Sequence, residues 1–118
     1  MVTLEQIADA ALERESLRLR SLVQDFLSQN EDLSMVPRPV LEDPRLLAAA
    51  AAIIELLALQ RQQVSPLWTR EVGPMPKPFF LVEAADTMPH LRQLCETQAP
   101  EPMRKRRLYA PPNFLVFA

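Results

Sequence analysis

Residues 43–63 read DPRLLAAAAAIIELLALQRQQ, and the fold turns on this stretch. Asp43 followed by Pro44 pairs a side-chain oxygen that can cap the first free amides with a ring whose fixed φ suits the first helical position. No breaker follows until Pro66, so the pattern predicts a helix over about Pro44 to Gln63. Leu46, Leu47, Ile53, Ile54 and Leu57 project on one side. Ala48, Ala51, Ala52 and Glu55 form a shallow opposite side that a second helix could approach closely. Apolar nearly all round, this helix is expected at the centre of the molecule. Its apolar run, Leu46 to Leu57 with Glu55 interrupting, falls short of the ~20 residues that span a bilayer, so it reads as a core helix and not a membrane anchor.

Upstream, Thr3 and Gln6 have capping-box spacing, and Leu4, Ala8, Ala11, Leu12, Leu19, Leu22, Val23 and Phe26 recur at three- and four-residue steps. That periodicity predicts one long helix from Thr3 to about Gln29, closed by Asn30. Glu15 lies near the middle of its apolar stripe, where a carboxylate needs a cation, water or an exposed gap. Residues 31–42 contain Pro37 and Pro39 and form a partly extended connector.

Downstream the character changes, because nine of the twelve prolines lie from Pro66 onward and short elements replace long ones. Ser65 and Pro66 start a brief helix that Gly73 ends, and Pro74, Pro76 and Pro78 enforce an extended run. Phe79 to Ala85 is either a helical turn or two or a short strand; the apolar run does not decide. Asp86 or Thr87 caps a helix of about ten residues carrying Met88, Leu91, Leu94 and Cys95. The expected fold is mainly α: a small helical domain of two long helices plus short helices, with a Pro-rich, partly extended C-terminal region. Residues 1–118 form one domain, in which 1–63 are the two-helix core and 64–118 the Pro-rich short-helix segment and apolar tail.

Composition narrows the function. A chain of 118 residues with 48% hydrophobic content and net charge −2 is an ordinary globular one, with no global attraction to nucleic acid. The single cysteine cannot form an internal disulfide, and Met1 to Ala10 carries Glu5 and Asp9 where a signal peptide would be basic and then apolar, so a cytoplasmic setting is expected. One glycine argues against phosphate-cradling loops. One histidine and one cysteine are too few for a zinc site, and His90 and Cys95 fall on different faces of a helix. No Asp-x-Asp cluster is present to hold a divalent ion. The expectation is therefore a binding protein, with no catalytic, metal or cofactor residues.

Three features could carry binding. Arg104, Lys105, Arg106 and Arg107, with Tyr109 beside them, could grip phosphates and stack a base, or could form ion pairs with the first helix or with a partner protein. Trp68, Phe79 and Phe80 either anchor an irregular segment onto the long helices or form an interface hot spot with Arg70. At the end of the sequence, Pro111 and Pro112 stiffen the approach to Phe114, Leu115, Val116 and Phe117. That tail either seals the chain's own core or inserts into a groove or sheet edge of another protein.

The stretches LWTREVG (67–73), PFFLVEAA (78–85) and LYAPPNF (108–114) resemble small uncharacterised bacterial proteins of two-gene, antitoxin-like modules, which sit beside a nucleotidyltransferase-like partner. The resemblance implies a bacterial protein that inhibits a partner enzyme through protein–protein interaction, and it implies no activity of its own. The leading expectation is a protein-binding module that captures a second protein, or associates with itself. Its motive is apolar surface, on the central helix and the tail, in excess of what the chain can cover. The alternative is a nucleic-acid-binding or autoregulatory protein that uses Arg104 to Arg107.

Overall fold

The N-terminal capping box forms, with the Thr3 hydroxyl accepting from the Gln6 amide at 3.2 Å and Gln6 Oε1 accepting from the Thr3 amide at 2.9 Å. The computed structural model describes residues 1–116. Helix α1 runs from Leu4 to Leu12 and then stops, without a glycine or proline to stop it. Arg14 adopts a left-handed φ of 59°, its amide donates to Ala11 O and the Glu15 amide donates to Ala10 O. This paired closure usually places glycine at the left-handed position. Helix α2 (Ser16–Gln29) begins two residues later, so the single helix expected from Thr3 to Gln29 is two, joined by an elbow. The break also answers for Glu15, which sits exposed at the start of α2 and pairs with Arg18 at 3.0 Å.

Helix α3 (Pro44–Gln60) starts where Asp43 Oδ1 accepts from the Arg45 amide at 2.9 Å. It ends three residues earlier than Gln63 through the same closure, with Gln62 at φ 56° and the Gln62 and Gln63 amides donating to Leu59 O and Ala58 O. Ending there frees the Gln63 side chain, which accepts from the Leu33 amide and donates to Glu31 O, fastening the connector to α3. An exposed glutamine held at positive φ is strained by about 1–2 kcal/mol. Gln62→Gly should therefore stabilise the protein by about 0.5–1 kcal/mol once the extra freedom of glycine in the unfolded chain is subtracted. A urea unfolding midpoint equal to or below that of the wild type would show that the turn carries no such strain.

Helix α3 is the centre of the core, and Ala48 to Ala52 are each at most 1% exposed. Helix α1 lies along it with Ile7, Ala8, Ala10 and Ala11 buried, while the one-turn helix α5 (Glu101–Arg104) packs on it with Pro102 and Met103 buried. The expectation that a second subunit or partner would cover part of α3 is thus not met. Methyl side chains let neighbouring backbones approach closely, and the elbow after α1 and the folding back of the Pro-rich half supply the cover.

The second half consists of short elements. Residues 79–85 resolve into a two-residue strand, β1 (Phe79–Phe80), followed by a 3-10 turn at Glu83–Asp86. β1 pairs in parallel with β2 (Leu108–Tyr109), Phe79 opposite Leu108 and Phe80 opposite Tyr109. Helix α4 (Pro89–Gln98) starts at Pro89 with Met88 in the cap position, where Asp86 or Thr87 was expected. Asp86 is instead drawn to Arg14. Further 3-10 turns lie at Leu33–Met35 and Leu67–Glu71. Among the described residues no helix is long and apolar enough to cross a membrane.

Candidate functional site

Two side-chain clusters organise the C-terminal half, and they divide the residues that the sequence marks for binding. The first is built on Glu55, the one charged residue inside the apolar run of α3. Arg106, 3% exposed, meets it as a fork, Nη2 to Oε2 at 2.6 Å and Nη1 to Oε1 at 3.1 Å. The same two nitrogens also reach backbone carbonyls, Nη2 to Thr69 O at 2.8 Å and Nη1 to Pro102 O at 3.2 Å. Lys105 Nζ adds a third contact to Glu55 Oε1 at 2.7 Å. Burial by itself pushes the Glu55 carboxyl up, but hydrogen bonds from Arg106 and Lys105 outweigh it and hold the group below the usual carboxylate range. One guanidinium thereby ties α3, the turn Leu67–Glu71 and α5 into a single clasp.

The basic run is therefore not a strip of four surface charges. Arg106 is inside and Lys105 leans on Glu55, while Arg104 Nη1 donates to Thr97 O at 3.0 Å and Arg107 Nη1 to Pro76 O at 3.2 Å. Alternating directions follow from the turn that ends α5, where Arg107 sits at φ 61°. The ionic partner of Lys105 and Arg106 is Glu55 on the central helix, and not the first helix, one of the alternatives the sequence offered. The sequence signal that could have found the pair was present: a lone carboxylate in a helix expected at the core requires a buried cation.

The second cluster gathers the aromatics. β1–β2 pairing sets Phe80 and Tyr109 with ring centroids 5.3 Å apart, and Arg92 of α4 lies 4.2 Å above the Phe80 ring. Arg14, from the elbow, stands 5.1 Å over Phe79 and bonds Asp86 at 2.6 Å. That bond holds the Asp86 carboxyl below its usual range. Phe80 is buried and Phe79 and Tyr109 are half-buried, so these rings anchor the irregular segment. Trp68 does the same for the connector, its indole N–H donating to Val36 O at 2.9 Å. Arg70 remains exposed.

Of the tail, Phe114 is half-buried, Leu115 is buried and Val116 is exposed, and Gln60 Nε2 donates to Phe114 O at 3.2 Å. Phe114 and Leu115 thus pack on the chain's own core. Phe117 lies outside the described residues. Cys95 is buried, which pushes its thiol up and away from the reactive thiolate, while His90 is exposed. Among the described residues no three His, Cys, Asp or Glu side chains come together as metal ligands.

What the sequence did not mark is a groove between the N-terminus and the proline-stiffened connector. It is lined by residues 1–5, Phe26, Asn30 and residues 36–40, with a volume of about 410 Å³. Met1 and Val40 on its walls are each 98% exposed. No periodicity could have announced it, because Val40 between Pro39 and Leu41 has no helical or strand frame to fix its direction. Comparisons with protein-family models, with curated proteins and with solved structures give no match.

Proposed function

We propose that this chain is a protein-binding module of antitoxin-like character that captures a second protein, with a nucleotidyltransferase-like enzyme as the partner class, and performs no chemistry itself. The observation that carries the reading is the groove between the N-terminus and residues 36–40. Its walls expose Met1 and Val40 almost fully, although apolar side chains of that size gain about 1.5–3 kcal/mol on burial. Pro37 and Pro39 hold the connector in shape before anything binds, which lowers the entropy lost on docking. Met35 and Leu67, both more than 70% exposed, add apolar area on the connector and the Leu67–Glu71 turn. The resemblance to two-gene modules points to the product of an adjacent gene as the first partner to test.

Co-expression with the neighbouring gene, followed by mass measurement of the purified species, tests it. A heteromeric complex supports the reading; a lone chain that leaves the neighbour's product uncaptured sinks it, and a homo-oligomer replaces it with self-association. Val40→Asp should weaken capture roughly tenfold or more, because a carboxylate would be buried at the contact. Since Val40 is 98% exposed, unfolding free energy should stay within about 0.5 kcal/mol of the wild type. Undiminished capture by this variant would move the contact away from the groove.

A further inference from the structure

A notch of about 200 Å³ lies beside the clasp, lined by Arg70, Val72, Pro74, Lys105 and Arg106. Three of its five lining residues are cations. Glu55 is the carboxylate that compensates them, and it is shared between Lys105 and Arg106, leaving positive charge over at the notch. The Glu71 carboxylate faces Arg38 at 3.6 Å, and Glu101 does not line the notch but an adjoining hollow on the other side of Lys105 and Glu55. Among the described residues the Arg70 side chain has neither an ion pair nor a hydrogen bond, and Arg106 Nε is buried with no acceptor. An exposed guanidinium with no side-chain partner and surplus charge at one concavity are what an anion site requires.

We infer that this notch binds a carboxylate side chain from an acidic segment of the partner protein, Arg70 supplying the exposed contact and Lys105 and Arg106 the field behind it. The inference rests on the protein-binding reading above and adds the chemistry of one contact. Two observations favour a protein carboxylate over a nucleic-acid backbone. The notch is single and small, walled by Val72 and Pro74, which suit the methylenes of a glutamate. Arg104 and Arg107 are held by Thr97 O and Pro76 O and neither lines the notch, so among the described residues its own cations are Arg70, Lys105 and Arg106 alone, too few for a run of phosphates.

The test uses the full chain and a terminally blocked hexaglutamate peptide, with the arginine Nε–Hε resonances followed by NMR at low and at high salt. Saturable shifts of Arg70 and Arg106 that vanish at high salt are expected. Arg70→Ala should weaken peptide binding roughly tenfold, the size of one charge-assisted contact, and Arg45→Ala, on the exposed start of α3, should leave it unchanged. Shifts spread evenly over all arginines, or equal loss in both variants, would overturn the site. A short DNA duplex that binds at Arg70 and Arg106 more tightly than the peptide would overturn the carboxylate assignment. Should the neighbour's product be captured undiminished by Arg70→Ala, the notch is wrong and the module reading stands; should wild type capture nothing while the peptide still binds, the reverse holds.

Discussion

Glu55→Ala is expected to lower the unfolding free energy by about 3–5 kcal/mol, a large part of the ~5–15 kcal/mol that holds a domain of ordinary stability together. The reason is what it strands. Arg106 is 3% exposed and its fork to Glu55 is the ionic half of its coordination, so the variant leaves a guanidinium inside the protein with carbonyls alone for company. Replacing both partners, as Glu55→Met with Arg106→Met, should cost clearly less than the two single changes added together. It will not be free, because Pro102 O then loses its side-chain donor at about 1–3 kcal/mol, while Thr69 O keeps only the Val72 amide. Denaturant unfolding of the four species measures this, and additive losses would mean that the two side chains do not act as a pair.

Acid probes the same contact. The folded-state pKa of Glu55 is depressed below its ordinary value of 4.5, so its contribution is fully present above that pH and is lost as pH falls through the lowered value. Glu55→Gln should therefore be less stable than wild type at neutral pH, with the difference shrinking on acidification. A gap that stayed constant from neutral to strongly acidic pH would remove Glu55 from the acid transition.

The second large effect concerns the alanine side of α3. Ala52→Leu should destabilise by about 1–3 kcal/mol, because Ala52 is fully enclosed and the added methylenes have nowhere to go without moving a backbone. Here the two views of α3 predict opposite signs. Had the alanine side been an open face awaiting a partner, leucine there would be neutral in the isolated protein or would promote association. A thermal midpoint at or above wild type, with a larger mass in solution, would restore that view.

Much of the helical character was legible in the sequence for a local reason: Thr3 with Gln6 and Asp43 with Pro44 act within one turn, and such signals survive any tertiary arrangement. The elbow at Arg14 was not. An arginine in the left-handed region carries no compositional mark, and Leu12 and Leu19 keep the apolar period across the break, so periodicity alone joins α1 to α2. The residues of the two clusters were visible as types but not as partners. Glu55 and Arg106 lie 51 positions apart, and their meeting depends on the path of residues 61–105 between them. For the same reason the sequence left the tail and the basic run open between inward and outward roles, and the structure turns them inward at Leu115 and Arg106. The groove beside Val40 left no trace in the sequence, since exposure on an irregular connector follows from the elements around it.

The clasp also orders events during synthesis. The Met75 amide is satisfied by the carbonyl of Arg106, Glu55 by its guanidinium, and the cover on one side of α3 is α5, so the middle of the chain must wait for residues made well after it. Until they leave the ribosome, the alanine-rich helix stays partly bare, and that interval is when a nascent chain is most open to chaperones and to aggregation.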